Sequence, residues 1–226
     1  MFFPYARISQ VPLEAIRQFL LQMFHKWGLP KAVKTDNGDP FGVPTRDVIP
    51  IMSLWLKGWG IQPILNRPRH PQDNAKVERT QGTSSRWAEI HKALDAKDLQ
   101  IRLEDIIREH LDKYPVKRLG YVCRTKVFPD LYIKQHLFDE QKFDIQALYS
   151  FLADKTLQRK VAANGAIGLY GKVFQVHLKL KGQYVYFKFN PQKLGWDILN
   201  ENRQAIKFIP DDRFSKEKLI LLTVCQ

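Results

Sequence analysis

The stretch "KTDNGDPF", Lys34 to Phe41, decides how the rest of the chain is read. Asn37-Gly38 is a strong turn signal because both residues tolerate positive φ, so the segment is compatible with a hairpin tip. The preceding "KAVKT" is short and extended and follows a helical pattern, the order of an α/β unit. That order places Asp36 at the C-terminal end of a strand. Asp36 is therefore either a turn residue or a metal ligand at a strand end, and the flanks must choose.

Upstream, "VPLEAIRQFLLQMFHKWGLP" sets Ile16, Phe19, Leu20, Met23, Phe24 and Trp27 at helical spacing. Pro12 suits its first turn, and Gly28 with Pro30 ends it, so an amphipathic helix is expected. Downstream, Thr45 to Lys57 reads as a second helix with Ile51, Leu54 and Trp55 as its buried stripe. "IQPILN" is a short strand that Pro63 puts near a sheet edge. The basic loop "RPRHP" follows, then "QDNAKVERTQGTSSRWAEI" returns to a helical pattern, with Asp73 or Asn74 as its cap and Gly82 weakening its middle. In "LQIRLEDIIREHLDKY", Leu99, Leu103, Ile106, Ile107 and Leu111 share one helix face, and Pro115 stops it. From Val161 the pattern alternates aromatic and β-branched residues with Lys and is punctuated by Gly165, Gly168, Gly171 and Gly182. We expect the short strands of a small barrel there, with two more strands around a polar turn, Asn200 to Asn202.

The bulk numbers narrow the class. With 226 residues, 44% hydrophobic and 26% charged, the chain is a globular protein with material for one core and a small second domain. No apolar run approaches the length of a membrane span and no cleavable leader pattern is present, which makes a cytoplasmic location the default expectation. Cys123 and Cys225 have no partner at disulfide or zinc spacing, so both read as reduced thiols. The net charge of +13 suggests a polyanionic partner. The excess is uneven: 12 basic against 7 acidic residues over 1–90, 12 against 11 over 91–158, 9 against 2 over 159–209, and balance in the tail.

Three features then align: Asp36 ending a strand, the loop Arg67 to Pro71, and Glu78 in the first turns of the next helix. The helix and strand between the two carboxylates can bring the chain back beside its starting point. Carboxylates held that way share a hard divalent cation, since Mg²⁺ takes oxygen ligands and keeps part of its water shell for substrate phosphates. Two such ions serve phosphoryl transfer, one activating the attacking oxygen and one stabilising the leaving oxygen. On spacing alone, an Asn-Gly turn for Asp36 and a solvated helix face for Glu78 are the favoured readings.

The wording of the motifs adds a resemblance. "KTDNGDPFG" followed by "NRPRHPQDNAKVERTQGTSSRW" resembles the catalytic core of the retroviral-integrase superfamily, and within it the bacterial insertion-sequence transposases. In that family a strand ending in T-D-N-G supplies the second acidic residue and a helix carrying P-x-x-N-x-x-V-E-R the third; here these are Asp36 and Glu78. The resemblance covers about residues 5 to 90. The residues after Val161 are similar to the small β-barrel that follows the core in phage Mu transposase, through "G-x-I-x-L-x-G-K-x-F" and "GQYVYFKF". The implied fold is an RNase H-like α/β core (1–92, entered after its first strands), a helical connector (93–158), a small SH3-like β-barrel that binds DNA (159–210) and a tail (211–226). The implied activity is Mg²⁺- or Mn²⁺-dependent cleavage and strand transfer at transposon ends. DNA and further copies of the chain are its implied partners, in the bacterial cytoplasm at the nucleoid.

The chain also departs from that pattern. The family's first carboxylate lies on the opening strand, and no Asp precedes Asp36; the only earlier acidic residue, Glu14, falls in a helix first turn. "MFFPYARIS" reads as the remains of the third strand, and the expectation is a truncated copy or a start codon placed too late. Such a chain is expected to perform no strand transfer alone. Two other functions remain in view: a non-catalytic DNA-binding remnant or inhibitor of intact transposase, and a protein-binding barrel with no salt-dependent affinity for DNA. Candidate DNA contacts are Arg67 and Arg69 in the loop, and Asn74, Lys76, Arg79 and Arg86 along the helix. In the C-terminal segment they are Lys172, Lys179, Lys181 and Lys188, several of which alternation puts on one strand face. The bland alternatives are a cap for Asn74 and solvated faces for the cations. His70 reads as a loop histidine, and Trp87, Tyr184, Tyr186 and Phe187 as core.

Overall fold

A computed structural model describes residues 12–38, 40–42, 48–133 and 137–222. In chain order these contain α1 (Leu13–Trp27), β1 (Ala32–Thr35), α2 (Ile51–Gly58), β2 (Gln62–Leu65), α3 (Ala75–Trp87) and α4 (Ala96–Asp112). A short pair, β3 (Pro115–Val116) and β4 (Val122–Cys123), precedes α5 (Arg124–Val127) and α6 (Ile145–Ala153). The last part holds β5 (Thr156–Lys160), β6 (Ala166–Leu169), β7 (Lys172–Gln175), β8 (Tyr184–Asn190), β9 (Gly195–Leu199), β10 (Ala205–Pro210) and α7 (Lys216–Leu221). The expected strand at "MFFPYARIS", the start of the second helix at 45–47, and Cys225 lie outside the described residues.

The chain groups into a helical unit, Met1–Gly28 with Arg69–Leu137, and a β-rich unit, Leu29–Pro68 with Phe138–Gln226. The grouping does not follow sequence order. No helix among the described residues is long and apolar enough to cross a membrane.

In the helical unit α1 buries Ile16 and Phe24 and ends where Gly28, at φ 83, donates its N–H to the Phe24 carbonyl at 2.8 Å. Helix α4 is capped by Asp95, which accepts from the Asp98 N–H at 2.8 Å, and buries Leu103. Lys26 on α1 reaches Glu104 on α4 at 3.3 Å, and the rings of Trp27 and Tyr132 stack. Trp87, His110 and Tyr114 form a three-ring cluster between the ends of α3 and α4. Burial, and then the nearby Arg124 guanidinium, pushes the His110 pKa below the ordinary imidazole value. Cys123 is a free, half-buried thiol.

In the β-rich unit β1 and β2 pair in parallel, Ala32 opposite Gln62 through Thr35 opposite Leu65, with Pro63 accommodated because the pair has only edge strands. The connecting α2 starts at Ile51, later than expected, because Pro50 has no N–H to give to a preceding turn. Nearly all of α2 is buried, and the Trp55 indole N–H reaches the Ile220 carbonyl at 3.1 Å. Strands β5, β8, β9 and β10 form one antiparallel sheet in the order β10-β9-β8-β5, and β6-β7 is a separate hairpin. The expected closed barrel is not formed among the described strands. The inner face of the four-stranded sheet, with Leu157, Val185, Phe187, Phe189, Trp196 and Ile198, is sealed instead by Leu148 and Leu152 of α6 and by Phe214.

Candidate functional site

Strand β1 delivers Asp36 just past its C-terminal end, and β2, running parallel beside it, delivers Asn66 past its own. The Asn66 N–H extends the ladder to the Thr35 carbonyl at 3.0 Å, and its side-chain amide donates to Asp36 Oδ1 at 2.8 Å. Asn66 is only 7% exposed whereas Asp36 is exposed, so a buried amide holds a carboxylate that faces water. The carboxyl ends of parallel strands are where open α/β sheets bind ligands.

The loop after Asp36 is not a two-residue hairpin tip. Gly38 and Gly42 exchange backbone hydrogen bonds at 2.8 Å in both directions, closing a small loop. Ser53 of α2 donates its hydroxyl to the Phe41 carbonyl at 2.9 Å and so pins that loop. Gly38 (φ 154) and Gly42 (φ 116) take conformations that favour glycine, and a Cβ on Gly42 would run into Pro50.

Glu78 lies in α3, its N–H bonded to the Asn74 carbonyl at 3.0 Å, and its side chain is exposed. Helix α3 is unbroken through Gly82 and is open to water over most of its length: residues 76–82 are all exposed and only Ser84 is buried. Lys76, Arg79 and Arg86 fall on one face of it at helical spacing. Asn74 occupies the N-cap position but makes no side-chain cap hydrogen bond, so capping is not its role. Asp73 closes the 3₁₀ turn Pro71–Asp73 before it.

Asp36 and Arg67 belong to the β-rich unit; Arg69, Asn74, Lys76, Glu78, Arg79 and Arg86 belong to the helical unit. Arg69 is exposed in a left-handed conformation (φ 60) where the chain passes from one to the other. Among the described residues no group of three or more His, Cys, Asp or Glu side chains could hold a metal ion.

The four C-terminal lysines do not share a strand face. Lys172 opens β7, with its ammonium 5.6 Å from the centre of the Phe174 ring. Lys179 and Lys181 lie in and after the 3₁₀ turn Leu178–Leu180, and Lys188 alone stands on the four-stranded sheet; all four are exposed. Phe187 is core, as expected, but Tyr184 is 46% exposed and Tyr186 half-buried on the opposite face of β8. Trp87 is half-buried in its ring cluster.

Sequence reasoning missed Asn66. Its only signal was an Asn directly after the strand "QPIL", which becomes informative once that strand is known to lie beside the one that carries Asp36. No protein-family model matches the chain.

Proposed function

We propose that the chain acts on DNA, as part of a transposase of the integrase type with an RNase H-like core. The observation that carries this reading is the Asp36–Asn66 pair at the carboxyl ends of two parallel strands. The place of Asp36 just past a strand end is what the T-D-N-G resemblance leads one to expect, and the net charge of +13 supports a polyanionic substrate. In this reading Asp36 and Glu78 are the metal-holding, catalytic carboxylates, the cations along α3 and in the C-terminal segment bind phosphates, and copies of the chain assemble on DNA in the bacterial cytoplasm.

The donor set fits Mg²⁺ or Mn²⁺ in kind, since both carboxylates offer hard oxygen ligands to solvent. In number it falls short of a two-ion site, for no third ligand gathers with either carboxylate among the described residues. A second reading is a non-catalytic DNA-binding remnant or an inhibitor that joins intact transposase.

A fluorescent duplex oligonucleotide, incubated with the chain and Mg²⁺ or Mn²⁺, tests both. The expected result is binding without joined products. If about four phosphates are neutralised, log K should fall against log[salt] with a slope of about −4. Joining that Glu78→Ala abolishes would overturn the non-catalytic reading and establish the enzyme, and absence of any salt-dependent binding would sink both.

A further inference from the structure

The outward face of the four-stranded sheet carries features that phosphate binding by lysines leaves unexplained. Along β8, Val185, Phe187 and Phe189 point into the core, which turns Tyr184, Tyr186 and Lys188 to the other side. Register sets Lys160 of β5 opposite Tyr184 and Gln158 opposite Tyr186. Arg203, from the turn between β9 and β10, lays its guanidinium over the Tyr186 ring, 3.7 Å from its centre. Lys193 sits over the Phe208 ring at the rim. Among the strand residues of this face the carboxylate is Asp197, opposite Lys188, and it accepts a hydrogen bond from the Asn190 amide at 2.8 Å.

We infer that this face binds an unpaired nucleic-acid strand, with bases stacked on the Tyr184 ring and on the outer plane of the Arg203 guanidinium, and phosphates met by Lys160, Lys188 and Lys193. The inference rests on the reading of the C-terminal segment as a polyanion-binding part, but not on Asp36 or Glu78.

Charge complementarity and spacing select this occupant. Four exposed cations, Lys160, Lys188, Lys193 and Arg203, surround the rings; the strands of this face add one carboxylate, Asp197, which already has a partner, and the Arg203 turn adds Glu201. An aromatic ring 46% exposed on a strand face is surface that a soluble protein does not need for its core, whereas a base has a π-face to cover it. Guanidinium planes serve as stacking surfaces in the same way. Tyr184 and Tyr186 are two residues apart on one strand, about 6.8 Å. Bases in a duplex rise by about 3.4 Å and leave no gap between them, so the ring spacing suits a strand whose bases are spread apart. In a duplex the faces of the bases are hidden, and only the lysines would find partners.

The test uses the full chain with a fluorescent 20-nucleotide oligothymidylate and a duplex of the same length. The single strand is expected to bind more tightly, and Tyr184→Ala to weaken it about tenfold while duplex binding stays unchanged. Tyr186→Phe, which keeps the ring and the Arg203 stack, is expected to bind both probes as the parent does. Thermal melting of Tyr184→Ala at the parent temperature excludes misfolding, a fair expectation for a ring this exposed. Equal affinity for the two probes, or a Tyr184→Ala variant that loses duplex and single strand alike, would overturn this inference and leave the DNA reading standing. No binding of either probe would remove both.

Discussion

A carboxylate closed off from water persists as an ion only if donors replace its lost hydration. Asp211 is 1% exposed and meets this condition three times over: from the Trp196 indole N–H at 3.1 Å and from Arg213 through Nε and Nη2 at 2.7 Å each. Arg213 also donates to the Tyr170 carbonyl, so the pair ties β10 to the β6-β7 hairpin. Removing one member leaves the other charged and buried. Asp211→Ala is therefore expected to cost about 3 kcal/mol or more, lowering Tm by roughly 6–12 °C for a chain of this size. Calorimetry on Asp211→Ala and on Asp211→Ala with Arg213→Met checks it: the double variant should recover part of the loss, because the orphaned cation is gone. Asp36 is the opposite case, an exposed carboxylate that accepts a hydrogen bond from a buried amide. Sequence could single out Asp36 because its strand and turn are local. It could not place Asn66, whose meaning depends on a pairing 30 residues away, nor the face of Tyr184 and Tyr186. "YVYFKF" puts bulky rings on both sides of the strand, so alternation alone does not say which side is inside.

At the scale of elements the legible ones are those whose signal is complete within themselves. Helices α1 and α4 have apolar stripes and defined ends, and both form at the expected places. That the described strands would not close into the expected barrel was not legible, because short alternating strands specify an inner face and leave open what covers it; here helices cover it. Helix α2 carries its own competition. Gly58 is its last residue, and alanine there would gain up to about 1 kcal/mol of helix propensity. A Cβ at that position would run into the ring of Phe143, which is 3% exposed and has nowhere to retreat. Overpacking of this kind costs about 1–3 kcal/mol, so Gly58→Ala is expected to be destabilising on balance. Urea titration of Gly58→Ala alone and with Phe143→Leu decides the matter: the smaller side chain should make the alanine harmless, and a stabilising single variant would show that the ring can move.

At the scale of the molecule, chain order and core membership part company. The C-terminal strands read as a self-contained module from Val161, yet the core of the β-rich unit also contains α2, with Met52, Leu54, Trp55 and Leu56 almost wholly buried and the Trp55 indole bonded to α7. Four large apolar side chains at about 1.5–3 kcal/mol each amount to as much as the whole stability of a typical domain. A fragment of residues 138–226 should therefore lack what it needs to hold a unique fold. We expect it to show weak amide-exchange protection by itself and to gain protection in β8 and β9 when a 29–68 peptide is added. Substituting Trp55→Ala in that peptide should abolish the gain, since the position loses both its packing and its hydrogen bond to the Ile220 carbonyl. Full protection of the fragment without the peptide would mean that the sheet and its helices α6 and α7 suffice, and that α2 is an addition to a module already folded.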